Sequence, residues 1–328
     1  MLVPVLLFAV GLVCLIKGGD WFVDGAVGVA RRFHVSELLI GATVVSIGTT
    51  LPEVMVSTAS AIGGHGEIAY GNAIGSVICN SALIAAISIA VHPDVVNPKS
   101  MRVPVAFFFV AALGYAAIAY TSGEFTRPFG IVLLCMFVAY IVANIIGMKN
   151  TPKEELEEQA TDAGERETEP EKKLGKNLLL LVVGAALIAV GARLLIDNGI
   201  LIAQALGVPE SVIALTFVAL GTSLPELVTA ITSLVKGHYD LSLGNVIGAN
   251  VFNLVLVCGM SITLAPFHLP GSAVFLGHNA SLVLELPVMF LVMLTLTLPA
   301  LLKGKTFRLQ GLLMLAVYAA FCVIQFTM

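Results

Sequence analysis

Charge is scarce in this chain. Of its 328 residues, 12% are Asp, Glu, Lys or Arg and 58% are hydrophobic, whereas a soluble domain carries about 25% charged residues. That deficit excludes a soluble enzymatic or nucleic-acid-binding domain and leaves a polytopic membrane protein, whose surroundings are a lipid bilayer. Cysteine is sparse as well. Cys14, Cys79, Cys135, Cys258 and Cys322 lie singly in apolar segments with no C-x-x-C pairing, so neither a disulfide framework nor a zinc site is implied. Residues 2–16 are apolar and lack a basic leader or a small-residue cleavage site, so a retained first span is expected instead of a signal peptide. No cofactor and no enzymatic activity are expected.

What is present is apolar length. Ten segments of about 20 residues or more can span a bilayer: 2–24, 36–62, 67–91, 103–121, 127–148, 177–197, 209–235, 239–265, 279–301 and 308–326. Between the fifth and sixth, Lys149 to Lys176 is rich in Glu, Lys and Thr and reads as a solvated acidic linker. It shows no Asp/Asn/Gly loop of EF-hand type. With the linker in the cytoplasm, the inside loops hold Arg31, Arg32, Lys99, Arg102, Lys236, Lys303, Lys305 and Arg308, and the outside loops hold Arg127. By the positive-inside rule both termini are then extracellular in a multi-pass cell-membrane protein.

Two of the segments carry the same polar stretch. The first reads Gly48-Thr49-Thr50-Leu51-Pro52-Glu53, the second Gly221-Thr222-Ser223-Leu224-Pro225-Glu226. A carboxylate at the bilayer centre costs roughly 2.5–3.5 kcal/mol on insertion scales. Proline lacks an N–H, so Pro52 should leave the Gly48 carbonyl unpaired, and Pro225 that of Gly221. Thr49 and Glu53 are four apart and share one helix face. Carboxylate, hydroxyl and carbonyl oxygens together suit hard cations such as Ca²⁺ and Na⁺. The bland alternative, a proline-kinked helix with a structural Glu, does not explain why the stretch occurs twice.

The duplication is wider than that stretch. A constant offset of 173 residues maps Glu53 to Glu226, and also Asp24 to Asp197, Glu37 to Glu210, Thr43 to Thr216 and His65 to His238. It maps Gly71-Asn72 to Gly244-Asn245, Gly75 to Gly248 and Asn80 to Asn253 without a gap. The chain is therefore an internal repeat: a first five-helix repeat over 1–148, the cytoplasmic linker over 149–176, and a second repeat over 177–328. Five helices per repeat is an odd number, so the repeats enter the membrane with opposite polarity, as in many secondary transporters. Ser76 and Asn80, four apart, share a face, and Asn80 and Asn253 are read as facing the ion site. Asn72 and Asn245 are read equally as site residues or as helix–helix glue, and the motif glycines as points of close helix approach.

These residues resemble the Na⁺/Ca²⁺ exchanger family of the Ca²⁺:cation antiporter superfamily, in its prokaryotic form. The two Gly-Thr-Thr/Ser-Leu-Pro-Glu stretches, each followed by the Gly-Asn run ending at Asn80 or Asn253, are similar to that family's α1 and α2 repeats. The resemblance implies an all-α fold of ten transmembrane helices in two inverted five-helix repeats, exchanging several Na⁺ for one Ca²⁺ by alternating access, here as a monomer. It implies Glu53, Glu226, Thr49 and Thr222 as Ca²⁺ ligands. Thr50, Ser223 and Ser76, with the carbonyls of Ser46 and Ala219, match positions that hold Na⁺. Two positions depart from the pattern: relatives often carry an acid where Asn253 stands and a serine where Ala249 stands. Two formal negative charges remain, which implies K⁺-independence and leaves H⁺-coupled Ca²⁺ antiport as the alternative, although the glycine-asparagine-glutamate motif usual in H⁺/Ca²⁺ exchangers is not found here. A channel would assemble its filter from several subunits, and an intramembrane hydrolase would not repeat its acids with inverted polarity. Alternating access further implies that the first and sixth helices slide against a fixed core, with Gly18, Gly19, Gly184 and Gly191 as smooth surfaces.

Overall fold

A computed structural model describes residues 2–33, 35–150, 174–206, 221–271 and 273–327. The described chain is nearly all helix. In order come α1 (Leu2–Phe33), α2 (Glu37–Ile62), α3 (Gly66–Val91), α4 (Pro98–Thr121), α5 (Arg127–Asn150) and α6 (Leu174–Ala205). Then follow α7 (Leu224–Lys236), α8 (Tyr239–Leu264), α9 (Ser281–Lys303) and α10 (Arg308–Thr327). Among the described residues, 9 helices are long and apolar enough to cross a membrane. Most of the expected linker and the first half of the expected seventh span, with Glu210, Thr216 and Ala219, lie outside the described residues.

Several expected boundaries move. α1 and α6 run well past the expected 24 and 197, because charged residues lower hydropathy without breaking a helix. Arg193 and Asp197, four apart, even pair at 3.6 Å along α6, a spacing that supports helix. Helix also runs into both ends of the expected linker, through Asn150 and from Leu174. The two copies of the doubled stretch differ in backbone. Gly48–Glu53 is helical throughout, with Pro52 inside α2. Gly221–Ser223 is a turn, and Pro225 falls in the first turn of α7, where its missing N–H has no partner to lose. α7 and α9 both stop at a left-handed glycine, Gly237 (φ 79°) and Gly304 (φ 63°), a conformation other residues adopt only with strain.

The chain forms two compact units, Met1–Thr49 with Ile145–Asn245 and Thr50–Asn144 with Val246–Met328. In the first, α1 and α6 lie against each other along a seam of glycines. A Cβ on Gly11 would stand 2.9 Å from the Gly191 carbonyl oxygen, and one on Gly191 2.8 Å from that of Gly11. Gly18 and Gly184 approach in the same reciprocal way, at 3.0 and 2.8 Å. The repeat offset maps Gly11 to Gly184 and Gly18 to Gly191. Residue and repeat-mate exchange partners, as a two-fold axis between the helices requires.

Lipid offers no hydrophobic force to hold two helices together, so close backbone approach at small residues supplies the attraction. This corrects the reading of Gly18, Gly184 and Gly191 as surfaces sliding over a core: they join α1 to α6. Gly19 alone faces α7, where an added Cβ would meet the Thr232 hydroxyl at 2.6 Å. Near that point Lys236, at the end of α7, donates to the Asp20 carbonyl and pairs with Asp24, both at 2.9 Å. Phe22, Val23 and Ala26 of α1, with Ile188 of α6 and Val45 of α2, form the apolar core of this unit.

The second unit holds the later parts of α2 and α8, α3, α4, α5 through Asn144, α9 and α10. Glycine again sets the close contacts: a Cβ on Gly311 of α10 would meet Ala86 O of α3 at 2.7 Å, and one on Gly130 of α5 would meet Thr263 N of α8 at 2.7 Å. Two short antiparallel strand pairs close the loops. β1 (Glu124–Phe125) pairs with β2 (Phe267–His268), and β3 (Val274–Phe275) with β4 (His278–Asn279). Phe125 seats the first pair by stacking on Tyr115, ring centroids 4.4 Å apart.

The glycine seam has a direct test. Gly18→Ala would place a methyl 2.8 Å from Ile188 N, an overpacking that costs typically about 1–3 kcal/mol. Thermal unfolding in detergent should show a clear loss of stability. Gly114→Ala, whose nearest contact is an ordinary 3.7 Å to Phe129, should unfold like the parent. Equal melting of the two variants would remove the seam from the account.

Candidate functional site

α2 is turned inside out relative to a soluble helix. Ser46, Thr49, Thr50, Glu53 and Ser57 are all buried, whereas Leu51, Met55, Val56 and Ile62 are exposed. The spacing of three and four puts the polar set on one face, so the oxygens point inward and the alkyl groups outward. α7 repeats the pattern: Ser223, Glu226, Thr229 and Ser233 are buried, and Ile231 and Val235 exposed. Both carboxylates, Glu53 and Glu226, have no exposed surface (0% each). Glu226 also lies in the first turn of α7, where the helix dipole favours negative charge.

Within the first unit, a wide π-helical turn at Gly41–Val45 precedes the polar stretch of α2, a local widening common at functional sites. The Ser46 hydroxyl donates to the Gly41 carbonyl (2.6 Å) and to the Asn245 carbonyl (3.1 Å). The Thr49 hydroxyl donates to the Asn245 side-chain oxygen (3.2 Å) and contacts the Ser46 carbonyl (3.4 Å). Gly41 permits this approach, since a Cβ there would lie 2.6 Å from the Leu241 carbonyl of α8. Asn245 thus fixes the rotation of α2 at Ser46 and Thr49. In the same unit Thr222 is half-buried, and Ser223 is buried with a hydroxyl that makes no hydrogen bond among the described residues.

Within the second unit, Asn72 of α3 donates to the Ser57 hydroxyl (2.8 Å) and reaches the Glu53 carbonyl at 3.5 Å. Ser76 and Asn80 follow along α3, both buried. Asn80 opens one π-helical turn, Asn80–Ala85, and Asn253 opens another in α8, Asn253–Val257. The repeat is therefore reproduced in backbone geometry as well as in residue type. Neither side-chain amide makes a hydrogen bond among the described residues. A buried amide left so costs roughly 1–3 kcal/mol, which a cation held by its oxygen would offset.

Of the expected site residues, the structure joins Ser46 to Thr49 through Asn245, and ties the Glu53 backbone to Asn72. It places Glu226 and Ser223 at the start of α7, and Asn80 and Asn253 at matching turns. Ala219 lies outside the described residues. Asn72 and Asn245 are each hydrogen-bonded to a hydroxyl of α2, at Ser57 and Thr49 respectively. Ser57, Ser81 and Asn250 escaped the sequence reading. Asn250 donates to the Ser81 hydroxyl (2.8 Å) and to Met293 sulfur (3.2 Å), but its repeat mate is Val77, so the doubling gave no sign of it. An amide inside an apolar span was the one available signal.

Comparison with known proteins meets this geometry. The family model described as sodium/calcium exchanger protein matches residues 3–146 and 176–327. A putative antiporter, CaxA of Alkalimonas amylolytica, is 34% identical over 100% of both chains. The sodium/calcium exchanger MaX1 of Methanosarcina acetivorans is 30% identical over 98% of each. A solved structure of the sodium-calcium exchanger NCX_Mj, soaked with Na⁺ and Sr²⁺, superposes with a TM-score of 0.79 at 33% identity over 97% of both chains. That match supports the expected all-α inverted-repeat fold, and the relatives are transporters, not enzymes. With its family model matched across both halves, and full-length relatives at 30% identity or more, the chain belongs to the sodium/calcium exchanger family of membrane antiporters.

Proposed function

We propose that this protein exchanges Na⁺ for Ca²⁺ by alternating access, without K⁺, as a monomer with both termini extracellular and the 149–176 linker cytoplasmic. The observation that carries the reading is the pair of fully buried glutamates, Glu53 and Glu226, each on an inward polar stripe and each the repeat-mate of the other. Two carboxylates balance one Ca²⁺ in a dehydrated site, where an unbalanced charge is expensive. Thr49 and Thr222 complete the Ca²⁺ ligands. Thr50, Ser223 and Ser76, with the Ser46 and Ala219 carbonyls, take Na⁺. Asn80 and Asn253 present amide oxygens to the bound cations. Relatives named sodium/calcium exchangers support the choice of ions.

Reconstituted vesicles test the reading. Ca²⁺ uptake should follow an outward Na⁺ gradient and not a K⁺ or H⁺ gradient of equal size. Uptake driven by H⁺ instead would select proton coupling, the outcome for which Ala249 and Asn253 leave room. In the same vesicles, Glu53→Gln or Glu226→Gln should each abolish Ca²⁺ binding. Breaking a buried charge partnership costs about 3 kcal/mol or more, a factor on the order of a hundred in affinity. Near-parental Ca²⁺ affinity in either variant would sink the assignment.

Charge also governs K⁺. Ca²⁺ and K⁺ together bring three positive charges, and an amide at position 253 offers an oxygen without formal charge. Ca²⁺ flux should therefore persist when choline replaces K⁺ on the Ca²⁺ side. Asn253→Asp should increase cation binding or introduce K⁺ sensitivity. A parent protein whose flux vanishes in choline would refute this.

A further inference from the structure

One tie between α3 and α8 is polar where the repeat would allow it to be apolar. The Asn250 amide of α8 donates to the Ser81 hydroxyl of α3 at 2.8 Å and to the Met293 sulfur of α9 at 3.2 Å. The Ser81 hydroxyl donates to the same sulfur at 3.2 Å. All three side chains are fully buried. Moved by the offset of 173, the pair Asn250 and Ser81 becomes Val77 and Leu254, which are fully buried as well. Two aliphatic side chains serve at the equivalent positions, so packing alone does not call for an amide. The amide is also expensive. A thioether sulfur only accepts, so N–H and O–H face Met293 and the Asn250 side-chain oxygen is turned away. That oxygen is buried and makes no hydrogen bond among the described residues, which costs stability.

The place of the tie supplies a reason for it. Ser81 directly follows Asn80 in the π-helical turn Asn80–Ala85, and Asn250 stands three residues before Asn253, which opens the turn Asn253–Val257. At that spacing Asn250 and Asn253 share a face of α8. A π-helical turn closes its hydrogen bonds one residue further along than an α-helix, so the aim of the amide that opens it depends on how the turn is held. Neither the Asn80 nor the Asn253 amide has a hydrogen bond of its own among the described residues. The Asn250–Ser81 bond ties the residue beside one of these amides to the helix face that carries the other, and Met293 anchors both from α9. We propose that Asn250 is a positioning residue, which through Ser81 and Met293 sets the mutual orientation of the Asn80 and Asn253 amides. The proposal rests on the reading of those two amides as facing the transported cations, and it gives Asn250 itself no contact with an ion.

The full chain purified in detergent tests it. The melting temperature in choline chloride reads packing, and its rise as NaCl replaces choline chloride at constant ionic strength reads the apparent Na⁺ affinity. Asn250→Val installs the side chain that the first repeat uses at this place, and should raise the apparent Na⁺ dissociation constant several-fold. Ser81→Ala should do the same, and this arm decides if the Asn250→Val protein does not fold. The two substitutions together should weaken Na⁺ binding no more than the stronger single one, because both remove the same bond. A role in packing alone would lower the melting temperature in choline and leave the Na⁺ affinity parental, and that result overturns the proposal. So do losses of affinity that add in the double variant. A parent protein that NaCl does not stabilise would overturn the cation-facing reading, and this proposal with it. Parental affinity in the variants of a responsive parent overturns this proposal alone.

Discussion

The hydrocarbon core holds no water, so each polar group there must find its partner within the protein. That constraint orders the structure at every scale. It rotates α2 and α7 so that their hydroxyls and carboxylates face inward and their alkyl groups outward. It sends the Ser46 and Thr49 hydroxyls to Asn245, and the Asn72 amide to Ser57. It also makes the exceptions informative. The amides of Asn80 and Asn253 are buried and make no hydrogen bond among the described residues, an arrangement the constraint makes costly.

Much of this was legible because the chain states its plan twice. The offset of 173 located the polar stretches, and hydropathy placed most spans within a few residues. The misses have physical causes. Hydropathy cut α1 and α6 short because Asp20, Asp24 and Asp197 look like boundaries, although a helix tolerates them where they meet Lys236, Arg193 or solvent. Equal sequence did not mean equal backbone: Gly48 to Glu53 is helix, and Gly221 to Ser223 is a turn. π-helical turns leave no mark in residue spacing, so the widening at Asn80 and Asn253 could not be foreseen. Asn245 and Asn72 were ambiguous from sequence because an amide can hold an ion or a helix, and only coordinates could show their hydrogen bonds to Thr49 and Ser57.

Where the halves differ is as telling as where they agree. The seam of Gly11, Gly18, Gly184 and Gly191 is reciprocal, so the two-fold relation holds for backbone packing between α1 and α6. It lapses in side chains: Ser76 is answered by Ala249, Ser81 by Leu254 and Val77 by Asn250. Lys236, which ties α7 to α1, is answered by Gly63. Packing is shared because both halves must meet along one seam. Polar decoration can diverge, since each half serves its own neighbours.

The lengths of α1 and α6 carry a consequence for the membrane itself. Each has 32 residues, about 48 Å at 1.5 Å per residue, against a hydrocarbon thickness of about 30 Å. Both expose broad aliphatic surface, including Val3, Val10 and Val13 on α1 and Leu179, Val182 and Val190 on α6. The helix ends past the apolar stretches carry charge, Asp24, Arg31 and Arg32 on α1 and Arg193 and Asp197 on α6. An apolar stretch that outruns the hydrocarbon tilts or thickens the bilayer, at fractions of a kcal/mol per ångström. Joined along their glycines, the two cannot adjust separately. The cost of mismatch falls on the pair as one body, so acyl-chain length acts on its tilt as a mechanical load.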